Sequence, residues 1–249
     1  MVQLNEGVTG GQAPEPEAPA LSFGTKLWNL FFDPRKTFGS IRANHEWIIL
    51  WVLTAAITIG AYLPIKSIVK ETQMAQVVEQ LDKTDLPEER REEILESVES
   101  RFENPMFLLF VPGSQLILLL LVSGFLLFIG NILLGGTTSY LKMLNAYAWT
   151  MMVVIPGSLI TVPLILAKGS MDVSIGLGVF TSSETGAFVK TFLSSFQLFG
   201  LLQLWLSSVA VAVLAGVETG KAVWAVLGIW LVWVLAHSVL ATINMSFGM

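Results

Sequence analysis

The chain has 249 residues, of which 53% are hydrophobic and only 13% are charged, and its net charge is −5. Soluble domains carry about 25% charged residues, so this composition and a mean hydropathy of +0.68 exclude an ordinary soluble domain. The sequence has no cysteine, which excludes disulfides, thiolate nucleophiles and Cys-ligated metals. The acidic balance argues against nucleic acid as a partner.

Two segments precede the first long apolar run. Residues 1–20 are rich in Gly, Pro, Ala and Glu and lack the basic start and apolar stretch of a signal peptide, so they predict a disordered tail. Residues 21–45 predict short amphipathic helices, with Asp33 and Pro34 typical of a helix start. Short, aromatic and basic helices commonly lie in the headgroup plane, and we predict that position. The alternative is a helix that packs on a core.

Five apolar segments of about 20 residues are long enough to cross the hydrocarbon core. An earlier start at Met106 would extend the second segment, with a kink at Pro112. Pro156 and Pro163 predict a bent or broken third helix, because proline removes a backbone donor and clashes with the preceding turn. The predicted fold class is therefore all-α, with a polytopic five-helix membrane domain over residues 46–249. Its predicted spans are residues 47–65, 114–134, 146–167, 196–217 and 222–243.

The large polar insertion in this membrane domain is residues 66–105. It carries six bases and eleven acids, a net charge of 6 − 11 = −5. Apolar residues recur at helical spacing in two stretches, separated by a capping pattern with Asp85 as N-cap, Pro87 in the first turn and Glu88 closing a capping box. We predict an antiparallel helical hairpin standing off the membrane. The hairpin is either a docking element for a basic partner or a solvated spacer.

The distribution of bases predicts the orientation. A count of all bases gives six on the amino-terminal side and eight on the other side, but residues that flank the first span carry the most weight. Four bases closely precede that span, and the insertion is acidic. We therefore predict a cytoplasmic amino terminus and an extracytoplasmic hairpin.

Within the five predicted spans, His237 is the one ionisable residue. An ionisable residue at that depth is a functional hypothesis by default; the alternative is a neutral His hydrogen-bonded to a neighbouring helix. His45 lies beside the interface and far away in sequence, so a metal site from the two His is not expected. Amide side chains in or near the spans are expected to bridge helices, or else to line a substrate path. They are Gln115, Asn131, Asn145, Gln197 and Gln203.

The remaining patterns indicate packing rather than chemistry. The sequence has no phosphate-loop, nucleophile-elbow or zinc-protease pattern, and Gly135-Gly136 predicts a turn. We predict no catalytic, cofactor-binding or metal-binding residues, and no cofactor. Small residues at four-residue spacing predict close helix approach along the fourth span. They are Ser208, Ala212, Gly216 and Gly220.

Two segments resemble a known family. WNLFFDPRKTFGSIRANHEW, residues 28–47, resembles the segment before the first span of the Yip family of Ypt/Rab-interacting membrane proteins. LLGGTTSYLKMLNAYAWTMMVVIPGSLI, residues 133–160, is similar to the central region of that family. The resemblance covers roughly residues 27–243. The acidic hairpin looks like an elaboration of prokaryotic-type members.

The resemblance implies five spans, a cytoplasmic amino terminus and a non-enzymatic role in a prokaryotic plasma membrane. Eukaryotic relatives are associated with vesicle traffic, and some prokaryotic relatives look like accessory proteins of export systems. We therefore expect a membrane scaffold or accessory protein that binds partners through its spans and hairpin. Its expected partners are membrane lipids and other membrane proteins, either an export complex or further copies of the chain. The alternative is a small channel or transporter; a membrane-embedded hydrolase is least favoured for want of a nucleophile–base pair.

Overall fold

The computed structural model of the protein describes residues 21–84, 86–104, 106–182 and 184–247. The predicted tail, residues 1–20, lies outside them. Within the described ranges the chain forms eleven α-helices. They are α1 (Phe23–Phe32), α2 (Pro34–Gly39), α3 (Glu46–Tyr62), α4 (Lys66–Asp82), α5 (Glu88–Glu103), α6 (Met106–Phe128), α7 (Tyr140–Thr150), α8 (Val154–Lys168), α9 (Ala187–Ser194), α10 (Leu198–Ala215) and α11 (Thr219–Phe247).

The all-α fold class and the five apolar spans are confirmed. Five helical stretches are long and apolar enough to cross a membrane: Glu46–Asp82, Leu108–Leu133, Tyr140–Lys168, Leu198–Ala215 and Thr219–Ile243. The third stretch begins at Tyr140 rather than at the predicted residue 146, because the Ser139 hydroxyl accepts a hydrogen bond from the Lys142 N–H and caps α7. The helix of the second span begins at Met106, the earlier of the two starts considered.

Two spans contain irregular turns. The third is broken as predicted, but by a 3₁₀ turn at Met151–Val153 between α7 and α8, one turn before Pro156. This position follows from the proline ring, which clashes with the carbonyl four residues earlier. The second span ends in a π-helical turn, Ile129–Leu133, followed by Gly135 at φ +71°. The predicted Gly135-Gly136 turn is therefore confirmed.

The amino-terminal helices α1 and α2 have two apolar faces. The inner face packs on the membrane domain, where Leu30 and Phe38 are fully buried in one cluster with Trp149 and Leu206. The outer face carries Trp28 and Phe32, both about two-thirds exposed, with ring centroids 4.3 Å apart. The core-packing alternative thus describes the inner face, and the headgroup-plane position of the outer face stays a prediction.

Two hydrogen bonds show on which side of the bundle α2 lies. The Thr137 N–H donates to the Ala215 carbonyl at 3.1 Å, and Arg35 donates to the Thr219 hydroxyl at 2.5 Å. The turn after the second span, the turn after the fourth span and α2 therefore lie together. We call this end the amino-terminal side and the opposite end the hairpin side.

The hairpin on the other side is a direct continuation of the first span. A 3₁₀ turn, Leu63–Ile65, joins α3 to α4, and α5 returns along α4. α5 begins at Glu88 with Pro87 as its N-cap residue and no side-chain cap, so the predicted capping box with Pro87 inside the first turn is wrong. Asp85, the residue predicted as the N-cap, lies outside the described residues.

Candidate functional site: a buried amide, an acidic hairpin and an intramembrane cleft

Asn145 joins the amino-terminal segment to the start of the first span. Its side chain is fully buried. Its Oδ1 accepts a hydrogen bond from the backbone N–H of Trp47 at 2.7 Å. Its Nδ2 donates to the backbone carbonyl oxygens of Arg42 and Asn44, at 2.9 Å each. The first N–H groups of a helix have no partner within the helix, so an amide on α7 caps α3 from outside. The prediction that this amide bridges helices is confirmed.

A largely buried ion pair lies in the same region. The Lys26 ammonium contacts both carboxylate oxygens of Glu46, at 2.9 and 2.8 Å, and lies 5.7 Å from the centre of the Trp149 ring. Only 9% of the Lys26 side chain and 18% of the Glu46 side chain are exposed. Glu46 is also the first residue of α3, where a negative charge complements the helix dipole. The pair therefore ties α1 to the first span.

The hairpin is held together by its apolar stripes and by ion pairs between its two arms. Leu81 and Phe102 are buried. Lys70, near the start of α4, contacts Glu99, near the end of α5, at 2.7 Å, and Arg91 contacts Asp82 at 2.9 Å. These crossed contacts show that the two arms are antiparallel, as predicted.

One face of α5 is a ridge of unpaired acids. Among the described residues, Glu88, Glu89, Glu92 and Glu96 form no ion pair with a base, and all four are exposed. Glu88, Glu92 and Glu96 are spaced four residues apart, so neighbouring carboxylates follow each other at about 6 Å along the helix. We call these four residues the acidic ridge. Like charges at this spacing destabilise an isolated helix by about 0.2–0.5 kcal/mol per pair.

A polar cleft of about 410 Å³ opens between α3, α6, α8 and α10. The Gln115 Nε2 donates to the Thr58 hydroxyl at 2.9 Å, and the Thr58 hydroxyl donates to the Thr54 carbonyl at 2.9 Å. The Gln115 Oε1 is buried and has no hydrogen-bond partner within the described part of the chain. The lining residues are uncharged, and those with hydroxyl or amide groups are Thr54, Thr58, Gln115, Ser158, Thr161, Gln197 and Gln203.

The cleft extends from the hairpin side toward the middle of the membrane domain. Along α3 and the turn after it, the lining runs from Ile65 to Thr54, about 16 Å at 1.5 Å per residue. Beyond the inner end of the cleft, toward the amino-terminal side, the bundle is filled by fully buried side chains, among them Leu50, Trp149 and Leu206. The cleft is therefore a vestibule that ends on a packed core.

An apolar groove of about 650 Å³ adjoins the cleft, between α6, α7, α10 and α11. Its walls include Phe125, Trp230 and Trp233. Gly200 and Gln203 of α10 line both the groove and the cleft. The two cavities therefore meet along one face of α10.

His237 lies apart from both cavities. It is exposed on the outer face of α11, with its ring stacked on Trp233 at 5.3 Å between centroids. Among the described residues it makes no hydrogen bond to a neighbouring helix. The alternative of a His that is hydrogen-bonded to a neighbouring helix is therefore wrong. Among the described residues that line the cleft and the groove there is no Asp, Glu, Lys, Arg or His.

The other residues singled out in the sequence have structural places. Asn131 exchanges two hydrogen bonds with the Thr138 backbone and holds the turn between the second and third spans, so it braces a loop rather than bridging helices. Ser208 and Ala212 are buried against neighbouring helices, as predicted. Gly216 instead ends α10 in the left-handed conformation, at φ +67° with open space around its Cα.

Sequence reasoning missed the hydroxyls of the cleft. Thr54, Thr58, Ser158 and Thr161 stand in apolar runs, where Ser and Thr commonly bond to their own helix backbone. Thr54 and Thr58 are four residues apart, and Ser158 and Thr161 are three residues apart. This spacing, which places each pair on one helix face, was their signal in the sequence. Only the tertiary structure shows that the two faces meet.

The comparisons with known proteins agree with this architecture. The model of the Yip1 domain family matches residues 28–241, a range that includes α2 to α10, the second half of α1 and most of α11. A search of curated proteins and a search of solved structures each found no match. The family match covers well over half of the chain, and five helical stretches among the described residues are long and apolar enough to cross a membrane. The chain therefore belongs to the Yip1 domain family and is an integral membrane protein.

Proposed function

We propose that this protein is a non-enzymatic membrane scaffold or accessory protein whose hairpin docks a basic segment of another membrane protein, in an export complex or a trafficking assembly. The observation that carries the proposal is the acidic ridge, four exposed carboxylates without an internal partner on a hairpin that continues a membrane span. The proposal places the protein in a prokaryotic plasma membrane, with the amino terminus cytoplasmic and the hairpin outside.

The distribution of ion pairs supports docking over a plain spacer. Among the described residues, five of the six other acids of the hairpin contact a base, as in the Lys70–Glu99 and Arg91–Asp82 contacts; Glu71 is the exception. The acidic ridge instead retains like charges at destabilising spacing. A concentrated field of one sign raises the association rate of an oppositely charged partner and selects against acidic ones.

A matched pair of variants tests docking. The first replaces the acidic ridge, and the second replaces four acids that already pair with bases, so both variants lose four negative charges while glutamine preserves helix propensity. Partners are crosslinked in native membranes and identified by mass spectrometry. The ridge set is Glu88, Glu89, Glu92 and Glu96, and the control set is Glu79, Glu93, Glu99 and Glu103.

We expect the ridge variant to lose a crosslinked partner that the control variant retains, with both variants inserted and helical. Equal recovery of all partners by both variants contradicts docking on the ridge. Loss of the partner in both variants shows that overall charge, rather than the ridge, is recognised.

The orientation has its own test in the cysteine-free background. A cysteine is placed at Glu89, and intact cells are treated with a membrane-impermeant thiol reagent. We expect labelling without lysis. Labelling that requires lysis places the hairpin in the cytoplasm and reverses the proposed topology.

A small channel or carrier is the second candidate function, favoured by the polar cleft beside the broken third span. The packed core beneath the cleft weighs against it, because a conducting path must cross that core. Flux assays on the pure protein in liposomes separate the two candidates. Selective flux that Gln115→Leu abolishes would overturn the scaffold proposal.

A further inference from the structure

We propose that the cleft and the groove together bind one uncharged amphiphile, a lipid-like molecule with a hydroxyl- or amide-bearing head and a hydrocarbon tail. The head occupies the cleft and the tail occupies the groove. This site goes beyond the proposed docking function and does not depend on the hairpin.

The lining of the cleft selects the head. Among the described residues that line it, none is charged, so an anionic, cationic or zwitterionic head would be desolvated there without a compensating charge, which is strongly unfavourable. Hydroxyl and amide side chains instead offer both donors and acceptors to a neutral head. The lining therefore favours an alcohol or an amide.

Gln115 supplies an unsatisfied acceptor for that head. Its Nε2 is engaged by Thr58, whereas its Oε1 is buried without a partner. A buried oxygen without a partner is unfavourable, because it has lost its hydrogen bonds to water and gained none from the protein. The terminal torsion of glutamine is soft, so a modest rotation presents this oxygen to a hydroxyl or N–H donor in the cleft.

The junction between the cavities permits one molecule to occupy both. Gly200 lies on that junction, and a Cβ built there meets only the Gln197 Cβ, at 3.9 Å. Tyr147 lines the groove, and Met151, one turn later, lines the cleft. The proposal therefore places the chain of the ligand along the face of α10 that both cavities share.

The direction of the groove matches a lipid of the hairpin-side leaflet. From Gly200, in the first turn of α10, the groove runs along α11 from Ala236 to Val226, about 15 Å toward the amino-terminal side. A molecule with its head at the hairpin side and its tail in the groove has the same polarity as its neighbours in that leaflet. The surrounding bilayer supplies such molecules, and both cavities have the size of ordinary ligand sites.

Photocrosslinking of the full chain in nanodiscs tests the site. The probe is a diacylglycerol with a photoreactive group in one acyl chain, and the comparison probe is a phosphatidylcholine with the same chains. The variants are Gln115→Met, which removes the acceptor, and Gly200→Leu, which fills the junction. The control is Gly228→Leu on α11, where a Cβ also meets open space outside both cavities.

We expect the diacylglycerol to label peptides of α10 and α11 at least about threefold more than the phosphatidylcholine does. Gln115→Met should lower diacylglycerol labelling by about threefold, the effect of one typical hydrogen bond within a membrane. Gly200→Leu should lower it further, and Gly228→Leu should leave it unchanged. Equal labelling by the two probes, or unchanged labelling in Gln115→Met, overturns the proposal. If Gly200→Leu fails to fold, Gln115→Met and the two probes still decide it.

Discussion

Replacing Asn145 by leucine is expected to release the amino-terminal helices from the membrane domain. Leucine keeps a similar volume but removes the acceptor of the Trp47 N–H and the donors to Arg42 and Asn44. The two hydrogens of Nδ2 satisfy at most two acceptors well, so about three hydrogen bonds are lost.

The size of the effect follows from burial. Each lost hydrogen bond is worth about 1 kcal/mol, and leaving the Trp47 N–H unsatisfied adds about 1–3 kcal/mol. We therefore expect a destabilisation of about 4–6 kcal/mol, because the Asn145 side chain has no access to water that could replace its partners. For a chain of this length each kcal/mol lowers the melting temperature by about 2–4 °C, so we expect the melting temperature to fall by about 8–24 °C.

Two measurements check this prediction. Thermal unfolding in detergent, followed by tryptophan fluorescence, gives the shift, with Thr161→Val on the cleft wall as a control expected to stay within about 0.5 kcal/mol. Thiol labelling of Ser40→Cys reports docking locally, because Ser40 is 6% exposed. We expect labelling to accelerate in the Asn145→Leu background. A melting temperature within 2 °C of the parent's, with unchanged labelling, would refute the reasoning.

Gly136→Ala is expected to destabilise the protein by about 1–3 kcal/mol, because its Cβ would lie 2.3 Å from the Ala215 carbonyl oxygen; an unchanged melting temperature contradicts this. At Gly216 the strain lies in the backbone, at φ +67° with open space around it, so alanine and leucine should lower stability equally, by about 1–2 kcal/mol. A much larger loss of stability for leucine would show that close helix packing, rather than backbone strain, requires glycine at this position. Lys26→Met and Glu46→Gln, combined in a double-mutant cycle of thermal unfolding, should show a coupling of about 1–3 kcal/mol, because the pair is largely shielded from water. A coupling near zero contradicts a stabilising ion pair.

The spans were predictable because the bilayer imposes one strong requirement, a run of about 20 apolar residues. The break in the third span was also predictable, although its position at Met151–Val153 depends on the clash of Pro156 with the preceding turn. The antiparallel hairpin followed from two apolar stripes separated by a turn signal. These features are local, so a short window of sequence contains their cause.

The arrangement of α1, the caps and the cavities was not predictable from such windows. Apolar side chains cover more than half of the circumference of α1, and periodicity alone does not predict that Leu30 is buried whereas Trp28 is exposed. The partners of Asn145 lie 98 to 103 residues away in sequence. The cleft likewise forms only where α3, α6, α8 and α10 converge, and an apolar run gives no information on which of its faces meets another helix.

Because the first span continues directly into the hairpin, a tilt of the span displaces the tip of the hairpin. The helical stretch that they share, Glu46–Asp82, has 37 residues and is about 55 Å long at 1.5 Å per residue. Asn145 fixes one end through the backbone N–H of Trp47, so the stretch pivots about this end. A change of about 10° in the tilt of the span, well within the range that membrane helices adopt, moves the far tip by about 10 Å. Small adjustments to bilayer thickness or to a neighbouring span are therefore amplified at the acidic end of the hairpin.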